Sequence, residues 1–162
     1  MSQRYFIRIE KDELVFSAGH FITFDGNVCE RLHGHNYRVM AEVEGPLDEN
    51  AYVIDFIKFR DALIEIVGRL DHHMLLPTRH KHIQVVASDD EVVVEFYERR
   101  WVFPRGDCVL LDVPNTTTEM LAHHIGQRLL DEFRSRGLAL PTRLLVGVDE
   151  NFGQWGFWEQ RA

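Results

Sequence analysis

Alternating apolar and polar residues predict β-strands at both ends of the chain. From Tyr5 to Phe24 the alternation is interrupted at Lys11-Asp12, which we interpret as a turn or a bulge. Residues 37–43 repeat the same two-residue period, which is typical of a strand with one buried face. Two shorter runs, 144–148 and 154–158, predict a further pair of strands near the C-terminus.

Helical spacing of apolar residues predicts two helices between these strands. Asp55 can cap the first helix, which is expected to end near residue 71. The second helix is expected to begin at Thr116, because Thr116 and Glu119 match the capping-box pattern, and to end at Gly137.

The stretch between the two helices carries a β pattern of its own. Residues 81–111 are interpreted as a hairpin that turns at Asp89-Asp90. The resulting order of two strands, a helix, a hairpin, a helix and two strands predicts an α+β fold with an antiparallel sheet. No repeat, linker or low-complexity segment divides residues 1–162, so we expect one domain.

Charge and composition narrow the range of functions. A formal net charge of -8 does not favour nucleic-acid binding, because phosphate backbones attract basic surfaces. Two cysteines, Cys29 and Cys108, are too few for a disulfide framework and suit a reducing compartment. The N-terminus has no signal-peptide pattern, and no apolar run reaches the roughly 18 residues of a membrane span. We therefore expect a cytoplasmic protein without a nucleic-acid or membrane partner.

Three of the nine histidines form a candidate catalytic zinc site. His33-Gly34-His35 precedes a predicted strand, and residues two apart on an extended backbone project to one face. His20 lies near the end of the preceding strand, and a turn at Asp25-Gly26 can bring it alongside. Three imidazoles without a fourth protein ligand are typical of catalytic zinc. The alternative is that His33 and His35 are polar surface residues.

A second His-x-His pair, His80 and His82, surrounds Lys81. Because the lysine would repel a cation, we interpret this pair as part of a solvated loop. The pair His123-His124 is interpreted as lying on a helix surface.

Other candidate residues remain open between a chemical and a structural role. Cys29, four residues before His33, is either a base activated by a metal or a small buried hydrophobe. Asp71 and His72 can form an acid/base pair only if the helix breaks, since adjacent helical residues do not face each other. Glu150 can accept two parallel N–H bonds from an aminopyrimidinone, or be an exposed acid at a strand end.

Several of these residues occur in an order that resembles the 6-pyruvoyl-tetrahydropterin synthase family, which includes the bacterial 6-carboxy-tetrahydropterin synthases. The resemblance spans nearly the whole chain. It is carried by Phe16-Ser17-Ala18-Gly19-His20, Cys29-x-x-x-His33-Gly34-His35-Asn36-Tyr37, Val53-Ile54-Asp55-Phe56, Leu70-Asp71-His72, Thr117-Thr118-Glu119 and Val148-Asp149-Glu150.

The resemblance implies the tunnelling fold, in which a four-stranded antiparallel sheet carries two helices on one face. Three subunits close a barrel, and two barrels stack into a hexamer with active sites between subunits. The resemblance implies that His20, His33 and His35 are the zinc ligands. It implies that Cys29 is the general base, assisted by Asp71 and His72. The residues implied to hold the pterin are Glu150, Thr117, Thr118 and Glu119.

The short spacing after Cys29 is similar to the carboxy-type enzyme. That type converts 7,8-dihydroneopterin triphosphate to 6-carboxy-tetrahydropterin, with loss of acetaldehyde and triphosphate, on the route to queuosine. A pyruvoyl-type or divergent pterin enzyme and a non-catalytic metal-binding module are the alternatives. Two departures from the family pattern are an inserted hairpin within residues 79–112 and Thr116 in place of a proline.

Overall fold

The computed structural model describes residues 3–26 and 28–162. Two helices and eleven strands follow one another along the chain. In chain order they are β1 (Phe6–His20), β2 (Thr23–Phe24), β3 (Val28–Cys29), β4 (His33–Glu44), α1 (Phe56–Gly68), β5 (His73–Pro77), β6 (Ile83–Ala87), β7 (Glu91–Phe96), β8 (Arg99–Pro104), β9 (Cys108–Leu111), α2 (Thr118–Ser135), β10 (Arg143–Asp149) and β11 (Trp155–Arg161).

The main sheet has the strand order β11-β10-β4-β1-β5-β9. Its first four strands pair antiparallel, as the alternating pattern predicts, and β1 shifts register between Glu10 and Val15, which confirms the predicted bulge. Strands β5 and β9 extend the sheet in the parallel direction. Neither was predicted as part of the main sheet: residues 73–77 lack the two-residue alternation that identifies a half-exposed strand, and residues 108–111 were assigned to the inserted hairpin.

Both helices pack on one face of this sheet and enclose the main core, which includes Phe16 and Tyr37 from the strands and Phe59 and Phe133 from the helices. Asp55 caps α1, accepting hydrogen bonds from the two backbone N–H groups that follow at positions 57 and 58.

The predicted capping box at the start of α2 is wrong. The N-cap residue is Thr117, and its side chain makes no capping hydrogen bond. Thr116 is instead fully buried, and its hydroxyl donates to the carbonyl oxygen of Phe21. A tertiary contact with the end of β1 therefore takes the side chain that the sequence pattern assigned to the helix.

The insertion forms a three-stranded antiparallel sheet, β6-β7-β8, rather than a hairpin. Its inner face makes a second apolar cluster with Phe21 and Met74 of the main body. None of the helices in the described part of the chain is sufficiently long and apolar to cross a membrane.

Candidate metal centre and its surroundings

Two long antiparallel strands bring the three predicted histidines together. His20 at the end of β1 pairs directly with His33 at the start of β4, and His35 lies opposite Ala18. The strands approach closely here, since a Cβ atom on Gly34 would come within 3.0 Å of the Ala18 carbonyl oxygen. Glycine between the two histidines therefore gives the neighbouring backbone room.

The ring nitrogens of this cluster are arranged as a metal site requires. One ligand atom from each of His20, His33 and His35 lies within 4.8 Å of the other two. The Nδ1 atom of His20 lies 3.0 Å from the Thr116 carbonyl oxygen, and that of His33 lies 2.8 Å from the Arg31 carbonyl oxygen. Both Nδ1 atoms must then donate, which leaves the lone pair on Nε2.

The most buried member of the cluster has an unsatisfied atom. Among the described residues, Nε2 of His20 is buried without a hydrogen-bond partner. Burial lowers the pKa of His20 to about 4, even though the Thr116 carbonyl opposes this shift, so the ring is neutral and able to coordinate. The three rings therefore fit a metal ion. Sequence patterns did not reveal that Thr116 orients the first ligand.

Tyr37 packs against the cluster, with its ring centre 5.7 Å from that of His20 and 5.5 Å from that of His35. Burial raises the pKa of its hydroxyl, and the charges of Glu150 and Glu30 raise it further. The tyrosine ring therefore contacts two of the candidate ligands, a contact that only the folded arrangement reveals.

Cys29 belongs to a short two-stranded ribbon, in which it pairs with Thr23, and Glu30 follows directly after that ribbon. The Cys29 thiol is half-buried and donates to the Glu30 carbonyl oxygen over 3.4 Å. The Glu30 carboxylate accepts from the Ile22 N–H and lies 3.9 Å from Nε2 of His33. Glu30 was not selected in the sequence, although it stands next to the candidate base.

Asp71 and His72 form the pair that depended on a break in the helix. Helix α1 ends at Gly68, and His72 adopts a positive φ of 58°, which turns the chain. Nδ1 of His72 lies 2.8 Å from the Asp71 carboxylate, which also accepts from the Ser17 N–H at 2.7 Å. That N–H, and then the His72 contact, lower the pKa of Asp71.

His72 faces an open groove of about 530 Å³, and Cys29 does not line it. Its walls are Ser17, Ala18, Gly19, Gly34, His35, Asn36, His72, His73, Met74, Phe103 and Asp107. His72 thus shares the groove with one candidate ligand, His35, whereas the candidate base is not part of its wall.

Glu150 directly follows β10, at the start of a loop whose backbone is held by the carboxylate of Asp149. The carboxylate of Asp149 is fully buried, pairs with Arg38, and accepts backbone N–H bonds from Gly153 at 3.0 Å and Gln154 at 2.9 Å. Glu150 is half-buried and makes no side-chain hydrogen bond among the described residues. Its carboxylate is therefore available to a ligand.

The remaining predicted residues lie around the first turn of α2. Thr117 and Thr118 are half-buried and Glu119 is exposed, and Thr118 packs so closely on Gly156 that a Cβ there would approach its hydroxyl to 2.3 Å. Further along the helix, His123 and His124 are half-buried, so their predicted placement on its surface is wrong.

Together these features define a class of protein: a tunnelling-fold domain with a candidate three-histidine metal centre. A sequence model of the 6-pyruvoyl tetrahydropterin synthase family matches residues 8–160. The chain therefore belongs to this family of pterin-processing lyases, as its sequence motifs predict.

Two archaeal relatives and one solved structure illustrate the match. A putative 6-carboxy-5,6,7,8-tetrahydropterin synthase of Methanocaldococcus jannaschii is 30% identical over 87% of this chain and 86% of its own length. One from Pyrococcus horikoshii is 32% identical over 80% of this chain and 78% of its own. A Plasmodium vivax 6-pyruvoyltetrahydropterin synthase, with a catalytic glutamate replaced by alanine, has a TM-score of 0.90 at 26% identity and covers 99% of this chain and 100% of its own.

Proposed function

We propose that the chain is a zinc-dependent lyase that converts 7,8-dihydroneopterin triphosphate to 6-carboxy-tetrahydropterin, releasing acetaldehyde and triphosphate on the route to queuosine. The observation that carries this proposal is the convergence of His20, His33 and His35, whose ligand atoms lie within 4.8 Å of one another. The names of the archaeal relatives, at 30–32% identity, favour the carboxy product over the pyruvoyl product.

Zinc is the ion that we assign to the three histidines. Three imidazole ligands leave one position of a tetrahedron vacant, which is the arrangement of catalytic zinc sites. When bound, the ion would supply a Lewis acid for the oxygen atoms of the pterin side chain.

Cys29 is the residue that we assign as general base. Its half-buried thiol would take a proton from one carbon of the substrate side chain and return it to another. The carboxylate of Asp71 fixes the ring of His72, which would assist in these transfers.

The separation of this pair from Cys29 supports an active site shared between subunits. His72 lines the open groove and is bonded to Asp71, whereas Cys29 is not part of the groove wall. We therefore assign the pair to the active site of a neighbouring subunit within a hexamer built from two trimers.

Glu150 is the proposed anchor of the pterin ring, and Thr117, Thr118 and Glu119 would help to hold it. A carboxylate can accept two parallel hydrogen bonds from the ring N–H and the amino group of an aminopyrimidinone. The rigid loop fixed by Asp149 keeps this acceptor in place.

A second candidate function is favoured by Glu30. A glutamate is catalytic in the Plasmodium vivax enzyme, and here a carboxylate stands next to the thiol, 3.9 Å from His33 Nε2. In that case Glu30 would be the base, and the pterin product would differ from the carboxy type.

Purified, zinc-loaded protein supplied with 7,8-dihydroneopterin triphosphate, with products identified by mass, distinguishes these functions. Under the first proposal acetaldehyde forms, Cys29→Ala abolishes its release, and Glu30→Gln retains it. Loss of all product in Glu30→Gln, with turnover retained in Cys29→Ala, would support the second candidate instead. A native protein that releases neither acetaldehyde nor triphosphate would refute both.

A further inference from the structure

The inserted sheet is attached to the segment that carries Cys29 through one arginine. Arg99, the first residue of β8, donates from Nη1 to the carbonyl oxygens of both Cys29, at 2.7 Å, and Glu30, at 2.8 Å. Hydrogen bonds from a charged donor are stronger than neutral ones. Two consecutive carbonyl groups are thereby held in a fixed orientation by a residue 70 positions away in the chain.

The guanidinium group of Arg99 is itself held in place by packing. It lies 4.7 Å from the ring centre of Trp101, and Trp101 stacks on Phe21 with the ring centres 4.7 Å apart. Phe21 is buried and directly follows the candidate ligand His20. A cation over an aromatic face loses little further freedom when it forms hydrogen bonds, so Arg99 is preorganised for this contact.

The contact reaches the Cys29 thiol through a shared acceptor. The Glu30 carbonyl oxygen accepts from the thiol at 3.4 Å as well as from Arg99. Burial raises the pKa of Cys29, the positive charge of Arg99 lowers it, and the negative charge of Glu30 raises it. Arg99 is thus the charge in this environment that favours the thiolate.

We propose that Arg99 is a positioning residue for the lyase reaction, which fixes the location of the Cys29 thiol through two backbone carbonyls and places a cation beside it. This inference rests on the proposed role of Cys29 as the base. It also gives the insertion a function, since the strand that presents Arg99 belongs to the β6-β7-β8 sheet.

The neighbouring Arg100 provides a matched control. It is on the same strand, but its side chain is exposed and lies 3.5 Å from Glu95 on the surface of the insertion. Arg99→Met removes the charge and the donors while keeping an unbranched chain that can cover Trp101. Arg100→Met makes the same chemical change without touching the ribbon that carries Cys29.

The primary experiment measures alkylation of Cys29 by iodoacetamide from about pH 6 to about pH 10 on zinc-loaded proteins of matched metal content. Mass spectrometry of the Cys29 peptide excludes the reaction of Cys108. For Arg99→Met we expect the midpoint to move to higher pH and the rate near pH 7.5 to fall roughly threefold to tenfold. Arg100→Met should match the native protein, and a coincident profile for Arg99→Met would overturn the proposal.

Steady-state kinetics provide the second measurement. Arg99→Lys keeps a positive charge but loses the planar group, so kcat should fall while KM stays near the native value, because Arg99 does not contact the substrate. Native kcat in this variant would overturn the proposal even if Arg99→Met did not fold. Alkylation needs no pterin, so a shifted profile in a protein without lyase activity would refute the proposed function, and with it the lyase role of Arg99, while the effect of Arg99 on the Cys29 thiol would stand.

Discussion

Two His-x-His pairs look alike in this sequence and differ in what their ring nitrogens do. In the first pair, Nδ1 of His33 donates to a backbone carbonyl, which leaves the lone pair on Nε2, and the ring belongs to a cluster with His20 and His35. In the second pair, Nδ1 of His80 accepts the backbone N–H groups of His82 and residue 83, at 3.0 and 2.9 Å. The proton of the neutral His80 ring is therefore on Nε2.

That proton is used as well. Nε2 of His80 lies 2.7 Å from the Thr23 hydroxyl and so links the loop to the ribbon that carries Cys29, while Nδ1 holds the backbone of the loop itself. A metal ion needs a lone pair, and His80 has none to offer without breaking these hydrogen bonds. The direction of the hydrogen bond at Nδ1, rather than the spacing of the motif, decides which pair can bind metal.

The largest expected effect tests the first pair. His33→Ala should reduce bound zinc to background, because two imidazoles and water hold the ion far more weakly than three. His82→Ala, the matched change in the second pair, should retain one equivalent per chain. Elemental analysis after dialysis measures both, and a full equivalent in His33→Ala would contradict the ligand assignment.

The adjacent acids Asp149 and Glu150 repeat the contrast, since the first carboxylate is engaged by the protein and the second is open to a ligand. Glu150→Gln should weaken pterin binding roughly tenfold to a hundredfold, the effect of losing charge-assisted hydrogen bonds worth about 1.5–3 kcal/mol. Bound zinc should not change. Calorimetry with a non-reactive pterin measures the affinity, with the exposed Glu98→Gln as control; unchanged affinity would count against the anchor role.

The comparison also explains which parts of the site could be read from the sequence. His20, His33 and His35 were predictable because antiparallel pairing of two alternating strands fixes their register, and Asp55 because a helix cap is a local interaction. The exclusion of the second pair, 80 and 82, from a metal site on the charge of Lys81 stays a prediction. The bonding of His80, which supports it, includes a tertiary contact with Thr23 that spacing does not encode.

The residues that sequence reasoning missed act across long separations. Thr116 orients His20 across 96 positions, and Arg99 contacts the Cys29 carbonyl across 70. Thr116 was misassigned because its local pattern with Glu119 satisfied a cap rule that a buried contact overrode. Local rules therefore recover elements and their ends, whereas the groups that orient the site depend on packing between elements.

A smaller effect is expected from removing the hydrogen bonds that His80 makes. His80→Ala leaves two backbone N–H groups and the Thr23 hydroxyl without their partner, which should lower the free energy of unfolding by about 1–3 kcal/mol. His82→Ala should change it by less than about 0.5 kcal/mol, as is usual for an exposed side chain. Urea unfolding measures both, and equal stabilities for the two variants would show that the hydrogen bonds of His80 contribute nothing to the free energy of unfolding.

The smallest expected effect is the pH dependence of the stability that the His80 hydrogen bonds contribute. Burial lowers the pKa of His80 from its ordinary value of 6.5, and the charge of His82 lowers it further. Because the folded-state pKa is the lower one, the stabilisation by the neutral ring is complete above about pH 6.5 and is lost as the pH falls through the folded value. The native protein should therefore lose stability on acidification more steeply than His80→Gln, whose side chain does not titrate.

Urea unfolding at a series of pH values below neutrality, with a chelator present, measures this difference. The chelator removes metal release as a second source of pH dependence. Burial also lowers the pKa values of His20 and His124 to about 4, so both rings lose stabilising energy in acid. They are present in both proteins and cancel in the comparison, provided that the sites are independent. Parallel stability curves would mean that the His80 ring does not depend on its neutral form, and the distinction between the two histidine pairs would then rest on metal content alone.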